Sequence, residues 1–324
     1  MTPKAKSKDI DQLLKEGSLL AGDDDRLKLH RLPTGILPLD TILGGGFPRG
    51  RLTMLVGPES TGKTLLAQYA AAAQQKDEKL PDVLLVDAEL SYDKSWWEAS
   101  GVDVSKLLVT QPTTAETAID LMVAVMEADK KLGMIIIDSI AALTPAPILE
   151  RSAEDKTIGL RAQVINLLLG KVVAVNRQAV IIVVNQMREN IGGHEEIYPG
   201  GHGLRHWSHI ILRTRREGWI KDGETRIGFT LEALCRKNKT APPLGVCQIP
   251  FRFRGQIDFL QTYIDEGIER GIITDRSPYY DMPEPLGGGK FLGRNNLRQH
   301  LLEHSDVLET LKEMVQKKGK EKGE

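Results

Sequence analysis

Between residues 52 and 184, short runs of apolar residues alternate with stretches of helical character. The runs at 52–56, 83–86, 107–109, 134–137 and 180–184 are almost unbroken Val, Ile, Leu and Met. That is the pattern of strands buried on both faces of a parallel sheet. Residues 63–75 are rich in alanine, and 93–99, 115–128 and 160–176 also read as helices. Thr113 and Glu116 stand three apart at the start of the 115–128 stretch, which predicts a capping box there. The alternation predicts βαβ units, hence an α/β fold with a mainly parallel sheet covered by helices.

The pattern changes after residue 208. The runs at 210–214, 226–234 and 246–251 follow one another with no long helix between them, so they should extend the sheet as antiparallel hairpins. Beyond residue 255 come short helical pieces and the turn Gly287-Gly288-Gly289, which predict a small α+β second domain over 256–315. Residues 316–324 are dominated by Lys and Glu and are expected to form an unstructured tail. The core domain is thus expected at 31–255, preceded by a segment over 1–30.

Composition narrows the class. Of 324 residues, 41% are hydrophobic and 27% charged, a globular balance. No apolar run approaches the roughly 20 residues that span a bilayer, and residues 1–10 lack the apolar stretch of a secretory signal. The two cysteines, Cys235 and Cys247, have no metal-ligand spacing and read as buried thiols of a reducing compartment. A cytoplasmic protein without a membrane partner is expected. The formal net charge of −1 does not advertise nucleic acid, but local basic loops can bind phosphates while the rest of the surface balances the charge.

The firmest chemistry is the run Gly57-Pro58-Glu59-Ser60-Thr61-Gly62-Lys63-Thr64. Its glycines let successive backbone N–H groups face a phosphate chain, Lys63 adds a charge near the terminal phosphates, and Thr64 offers a hydroxyl to Mg²⁺. It follows a predicted strand and opens a predicted helix, which is the context a phosphate loop needs. ATP and Mg²⁺ are the implied cofactors. Asp138, at the tip of the run 134–137, is the expected partner acid for Mg²⁺, held through its water shell. Glu89 follows a second strand and is placed to orient an attacking water; the other reading is an acid at a helix start, stabilised by the dipole.

These residues carry a resemblance. GPESTGKT, VDAELSYDKSWWEASGVD, IIIDSIAALTP, VVNQMREN and RKNKTAPP resemble, in order and spacing, the bacterial RecA-type recombinases, over about residues 33–302. The resemblance implies that Glu89 is the catalytic glutamate, that Trp96 replaces an aromatic stacking on adenine, and that Asp93 contacts the base. Trp96 and Trp97 could instead be a half-buried aromatic pair. Gln186 falls at the family's γ-phosphate sensor, and Lys237 and Lys239 fall on lysines that reach the ATP of the neighbouring subunit. A polar strand end and a solvated basic turn are the bland readings of those positions.

The resemblance also implies two DNA-binding loops. Residues 144–159 match the first, with Arg151 and Lys156 as contacts. Residues 187–204 match the second, with Arg188, Asn190, Gly192, Gly193, His194, Gly200, Gly201 and His202, and with Arg205 just beyond; this loop is shorter than is usual in the family. The implied activity is a DNA-dependent ATPase that polymerises on single-stranded DNA and exchanges strands with double-stranded DNA. Its partners would be DNA, further copies of itself with ATP between subunits, and single-strand-binding and loader proteins. A ring-forming motor and a mediator of low turnover are the alternatives. Leu90 departs from the family's histidine. The segment before residue 31 would clasp a neighbouring subunit. The lysine-rich end replaces the acidic tail of many members, so inhibition by the tail should be weak or absent.

Overall fold

The computed structural model describes residues 20, 22–149, 158–187, 201–253 and 256–321. In chain order the elements are β1 (Arg31–Leu32), α1 (Leu37–Leu43), β2 (Phe47–Pro48), β3 (Leu52–Gly57), α2 (Lys63–Gln74), β4 (Asp82–Asp87), α3 (Lys94–Ala99), β5 (Leu107–Thr110), α4 (Ala115–Ala128) and β6 (Leu132–Asp138). They continue with α5 (Ala146–Leu149), α6 (Ile158–Val175), β7 (Val180–Gln186), α7 (Gly201–Trp207), β8 (Ile210–Asp222), β9 (Thr225–Asn238), β10 (Val246–Arg252) and β11 (Gln256–Ile257). The last part holds α8 (Phe259–Glu269), β12 (Thr274–Arg276), β13 (Tyr279–Met282), β14 (Gly289–Leu292), α9 (Arg294–Glu303) and α10 (Ser305–Glu321).

Nine strands form one sheet in the order β11-β10-β9-β8-β3-β7-β6-β4-β5. From β8 to β5 every neighbouring pair is parallel, and β9, β10 and β11 add antiparallel strands at the other side. The expected α/β class, with antiparallel extension, is what the chain adopts. Strand alternation explains why the central runs carry so few polar residues. In β6, Met134 and Ile136 enter one core with α1 and α2, whereas Ile135 and Ile137 enter the other with α4 and α6. Each face needs its own apolar set, so both parities of the strand are hydrophobic.

A third core gathers Ile264, Ile273, Leu297, Leu301, Leu311 and Val315 around the three-stranded antiparallel sheet β12-β13-β14. Asp258 ties it to the large sheet: it caps α8 and binds Arg252 of β10 and Arg298 of α9 at 2.6 and 2.9 Å. Both cysteines are buried and unpaired.

Several local expectations are corrected. The cap of α4 is Thr114, whose hydroxyl accepts from Thr117 N at 3.1 Å, and not Thr113. Glu116 turns away from the helix start and accepts from Ala146 N at 2.9 Å. The lysine-rich end continues α10 to Glu321 instead of leaving the fold at residue 316, and Lys318 Nζ donates to the Arg270 carbonyl at 3.0 Å. Most of the expected oligomerisation segment at 1–30 lies outside the described residues.

Candidate nucleotide site

The phosphate loop connects the C-terminal end of β3 to the N-terminus of α2. A β-carbon at position 57 would collide with the Thr214 carbonyl, and Gly62 has a φ of +84° and lies against Leu231. Glycine is required at both, for close approach at 57 and for handedness at 62. Ser60 also takes a left-handed φ of +56°, and Thr61 Oγ1 anchors the loop to Thr214 Oγ1 at 2.8 Å. β8 and β9 therefore buttress the loop from the antiparallel side.

Lys63 Nζ donates to the carbonyls of Gly57 and Pro58 at 3.0 and 2.6 Å. Burial lowers its pKa, opposed by the charges of Asp138, Glu89 and Glu59. Thr64 Oγ1 donates to Asp138 Oδ2 at 2.7 Å. Burial pushes the Asp138 carboxyl up to about 6; the Thr64 bond opposes this, and the nearby Glu89 and Asp87 carboxylates add to it. A hydroxyl and a carboxylate at the mouth of a phosphate loop are the hard oxygen donors that Mg²⁺ selects. The clustered acids are the charge a divalent cation would offset, so the residues fit that ion.

Glu89 follows β4, with its backbone N–H and that of Ala88 both donating to the Asp138 carbonyl, and its carboxylate accepts from Ser139 Oγ. Gln186 ends β7 directly opposite Gly57 in the parallel ladder, and Met187 N donates to the Gly57 carbonyl at 3.2 Å. The phosphate loop, the Thr64–Asp138 pair, Glu89 and Gln186 thus share one sheet edge, at the C-terminal ends of β3, β4, β6 and β7.

Asp93 caps α3, its Oδ1 accepting from Trp96 N at 3.0 Å and Ser95 Oγ at 2.5 Å. The two tryptophans are not an equivalent pair. Trp96 is 41% exposed, while Trp97 is buried and packs with Tyr92 at 6.2 Å between ring centroids.

Lys237 and Lys239 stand apart from this group. Ile211 pairs with both Lys237 and Met54, and Lys239 N bonds to His209, whose own N–H bonds to the Leu52 carbonyl. The pair is therefore level with the start of β3, three to five residues from Gly57, or about 10–17 Å at ~3.3 Å per residue. Their ammonium groups donate to the carbonyls of Arg205 and His206 at 2.6 and 3.4 Å. Arg205, expected beside the second DNA loop, lies in α7, and its carbonyl accepts from Lys237. Arg51, Lys237 and Lys239 surround His209, and burial first, then those charges, push its pKa down to about 4. Arg151, Lys156, Arg188, Asn190, Gly192, Gly193, His194 and Gly200 lie outside the described residues. Gly201 and His202 open α7.

Sequence reasoning passed over Asp87, Ser139 and Thr214. None carries a motif of its own in the sequence; in the fold Thr214 holds the loop through Thr61, Ser139 binds Glu89, and Asp87 binds the turn after Glu89.

The fold and the site together define a P-loop nucleotide-binding protein with a large, mainly parallel sheet. A family model described as the RecA N-terminal domain matches residues 4–258. Proteins named "Protein RecA" are similar along nearly the whole chain: that of Chlorobaculum parvum is 36% identical over 309 residues, covering 93% of this chain and 87% of the relative. That of Rhodopirellula baltica is 34% identical, covering 94% and 82%, and that of Lactobacillus johnsonii 34%, covering 91% and 82%. The chain belongs to the RecA family. No described helix is long and apolar enough to cross a membrane.

Proposed function

We propose that this protein is a DNA-dependent ATPase that forms a filament on single-stranded DNA and exchanges strands with a homologous duplex in recombination and repair. The carrying observation is the division of the chemistry between opposite ends of one sheet. The phosphate loop sits at one end, and the cationic Lys237–Lys239 pair sits at the other, out of reach of its own loop. A site so divided is completed when the far edge of one copy meets the loop edge of the next. Membership of the RecA family supports the same reading.

In this reading Lys63 leaves the Gly57 and Pro58 carbonyls for the terminal phosphates of ATP, and the backbone of residues 57–62 cradles the chain. Thr64 and Asp138 hold Mg²⁺, which supplies charge neutralisation across the phosphates when bound. Trp96 offers an exposed ring to the base and Asp93 an oxygen to its amino edge. Glu89 orients the attacking water, and Lys237 and Lys239 of the adjoining copy stabilise charge on the transferred group. Gln186 hydrogen-bonds the γ-phosphate and passes its presence into the loop that begins at residue 187. Occupied ATP then favours the assembled, DNA-binding state, because it binds that state better than the dissociated one. Residues 144–159 and 187–204 would contact DNA, with single-strand-binding and loader proteins as further partners in the cytoplasm.

The test is ATP turnover with and without single-stranded DNA, followed by strand exchange between homologous DNAs. Stimulation and exchange are expected. Duplex unwinding without exchange would identify a ring-forming motor, and DNA binding with negligible turnover would identify a mediator.

A further inference from the structure

Asp87 ends β4 and is 1% exposed. Four neutral donors converge on its carboxylate. Ser91 N and Ser91 Oγ reach Oδ1 at 3.0 and 3.4 Å, and Tyr92 N and Gln111 Nε2 reach Oδ2 at 3.1 and 2.8 Å. Each oxygen thus holds a separate part of the structure: Oδ1 the turn after Glu89, Oδ2 the approach to α3 and the chain just beyond β5.

The segment 88–92 is consequently held from two sides. Ala88 N and Glu89 N donate to the Asp138 carbonyl at 2.8 and 3.3 Å, and Ser91 N and Tyr92 N donate to Asp87. Leu90, between the two anchors, has a φ of +56° and is 69% exposed. A residue with a branched side chain takes that backbone region only when its surroundings enforce it. No packing around Leu90 does so; the anchors on either side do. Immediately afterwards Tyr92 packs on the buried Trp97 and Asp93 caps the helix bearing Trp96.

We infer that Asp87 is a positioning residue that fixes Glu89 and helix α3 as one unit, so that the seating of the base against Trp96 is felt at the catalytic carboxylate. The inference rests on the proposed roles of Glu89 and Trp96. Asp87→Asn would turn an N–H₂ group toward one of the two backbone N–H donors, releasing one side of the segment and letting Leu90 relax.

The experiment is DNA-stimulated steady-state ATP turnover by the full chain. Glu89→Gln should lose kcat with KM nearly unchanged. Asp87→Asn should lose about 10²-fold in kcat, the scale of a small displacement of a reacting group, and should also raise KM, because α3 moves with Glu89. Adding Gln111→Glu, which offers the new amide an acceptor, should recover part of both. The kcat losses of Asp87→Asn and Trp96→Ala should be less than additive in the double variant, because they interrupt one route. Gln111 is exposed, so Gln111→Ala should fold normally and show the same paired change in weaker form. Wild-type kcat and KM in Asp87→Asn, or in Gln111→Ala should the former not fold, alongside an inactive Glu89→Gln, would overturn the inference and leave Glu89 its role. Full turnover in Glu89→Gln would overturn both. Strictly additive losses would remove the coupling between base and carboxylate.

Discussion

Lys63, Thr64 and Asp138 all have hydrogen-bond partners as they stand: the amine lies on its own loop's carbonyls and the hydroxyl on the acid. None of the three is thereby left unpaired in a buried setting, where an unsatisfied polar atom costs about 1–3 kcal/mol. A second, partly buried acid gives a measurable pH signature. Asp40 of α1 accepts from Thr34 N, Thr34 Oγ1 and Gly35 N at 2.8, 2.8 and 3.1 Å, yet burial pushes its pKa up to about 6. The folded state therefore holds this proton more tightly than the unfolded chain does. Asp40's favourable contribution is complete below about pH 4 and is lost as the pH rises to about 6, a change of about 3 kcal/mol for two pKa units. Urea midpoints measured across that range should fall more steeply for the wild type than for Asp40→Asn; parallel curves would refute this.

At the scale of elements, the helix caps give a sharp comparison. Thr114→Ala should cost about 1 kcal/mol, the usual value of an N-cap hydroxyl, whereas exposed Thr113→Ala should stay within about 0.5 kcal/mol. Thermal or urea unfolding of the two variants decides between the adjacent threonines. The error of one residue has a plain origin: two threonines side by side both precede the periodic stretch, and only the local backbone selects the capping one. The central strands were legible because burial on both faces leaves an apolar run that little else produces. The length of β8 and β9 was not legible. Both continue well past their expected ends, through Arg215, Arg216 and Glu217 and from Arg236 to Asn238, because each strand is held by its partner's ladder and needs no apolar face there. The phosphate loop was legible from local sequence alone. Thr214 was not, since its importance comes from chain segments that meet only in the folded sheet; nor was Asp87, whose partners Ser91 and Tyr92 are close in sequence but are brought to it by a turn that no local motif marks.

At the scale of the whole molecule, the two cationic and phosphate-binding edges are displaced along β3, and this displacement sets a counting rule for assemblies. If each working centre draws Lys237 and Lys239 from the next copy, an open chain of n copies has n − 1 centres, and a closed ring has n. The final copy at one end is always idle. Specific turnover should therefore climb with polymer length, from half the limiting value in a dimer toward a plateau, and should show no such climb in a ring. Turnover per subunit measured against DNA length at saturating ATP reads that dependence directly. A protein built this way loses activity by being cut short: each break in the polymer silences one centre, so fragmentation alone lowers output with every residue still intact.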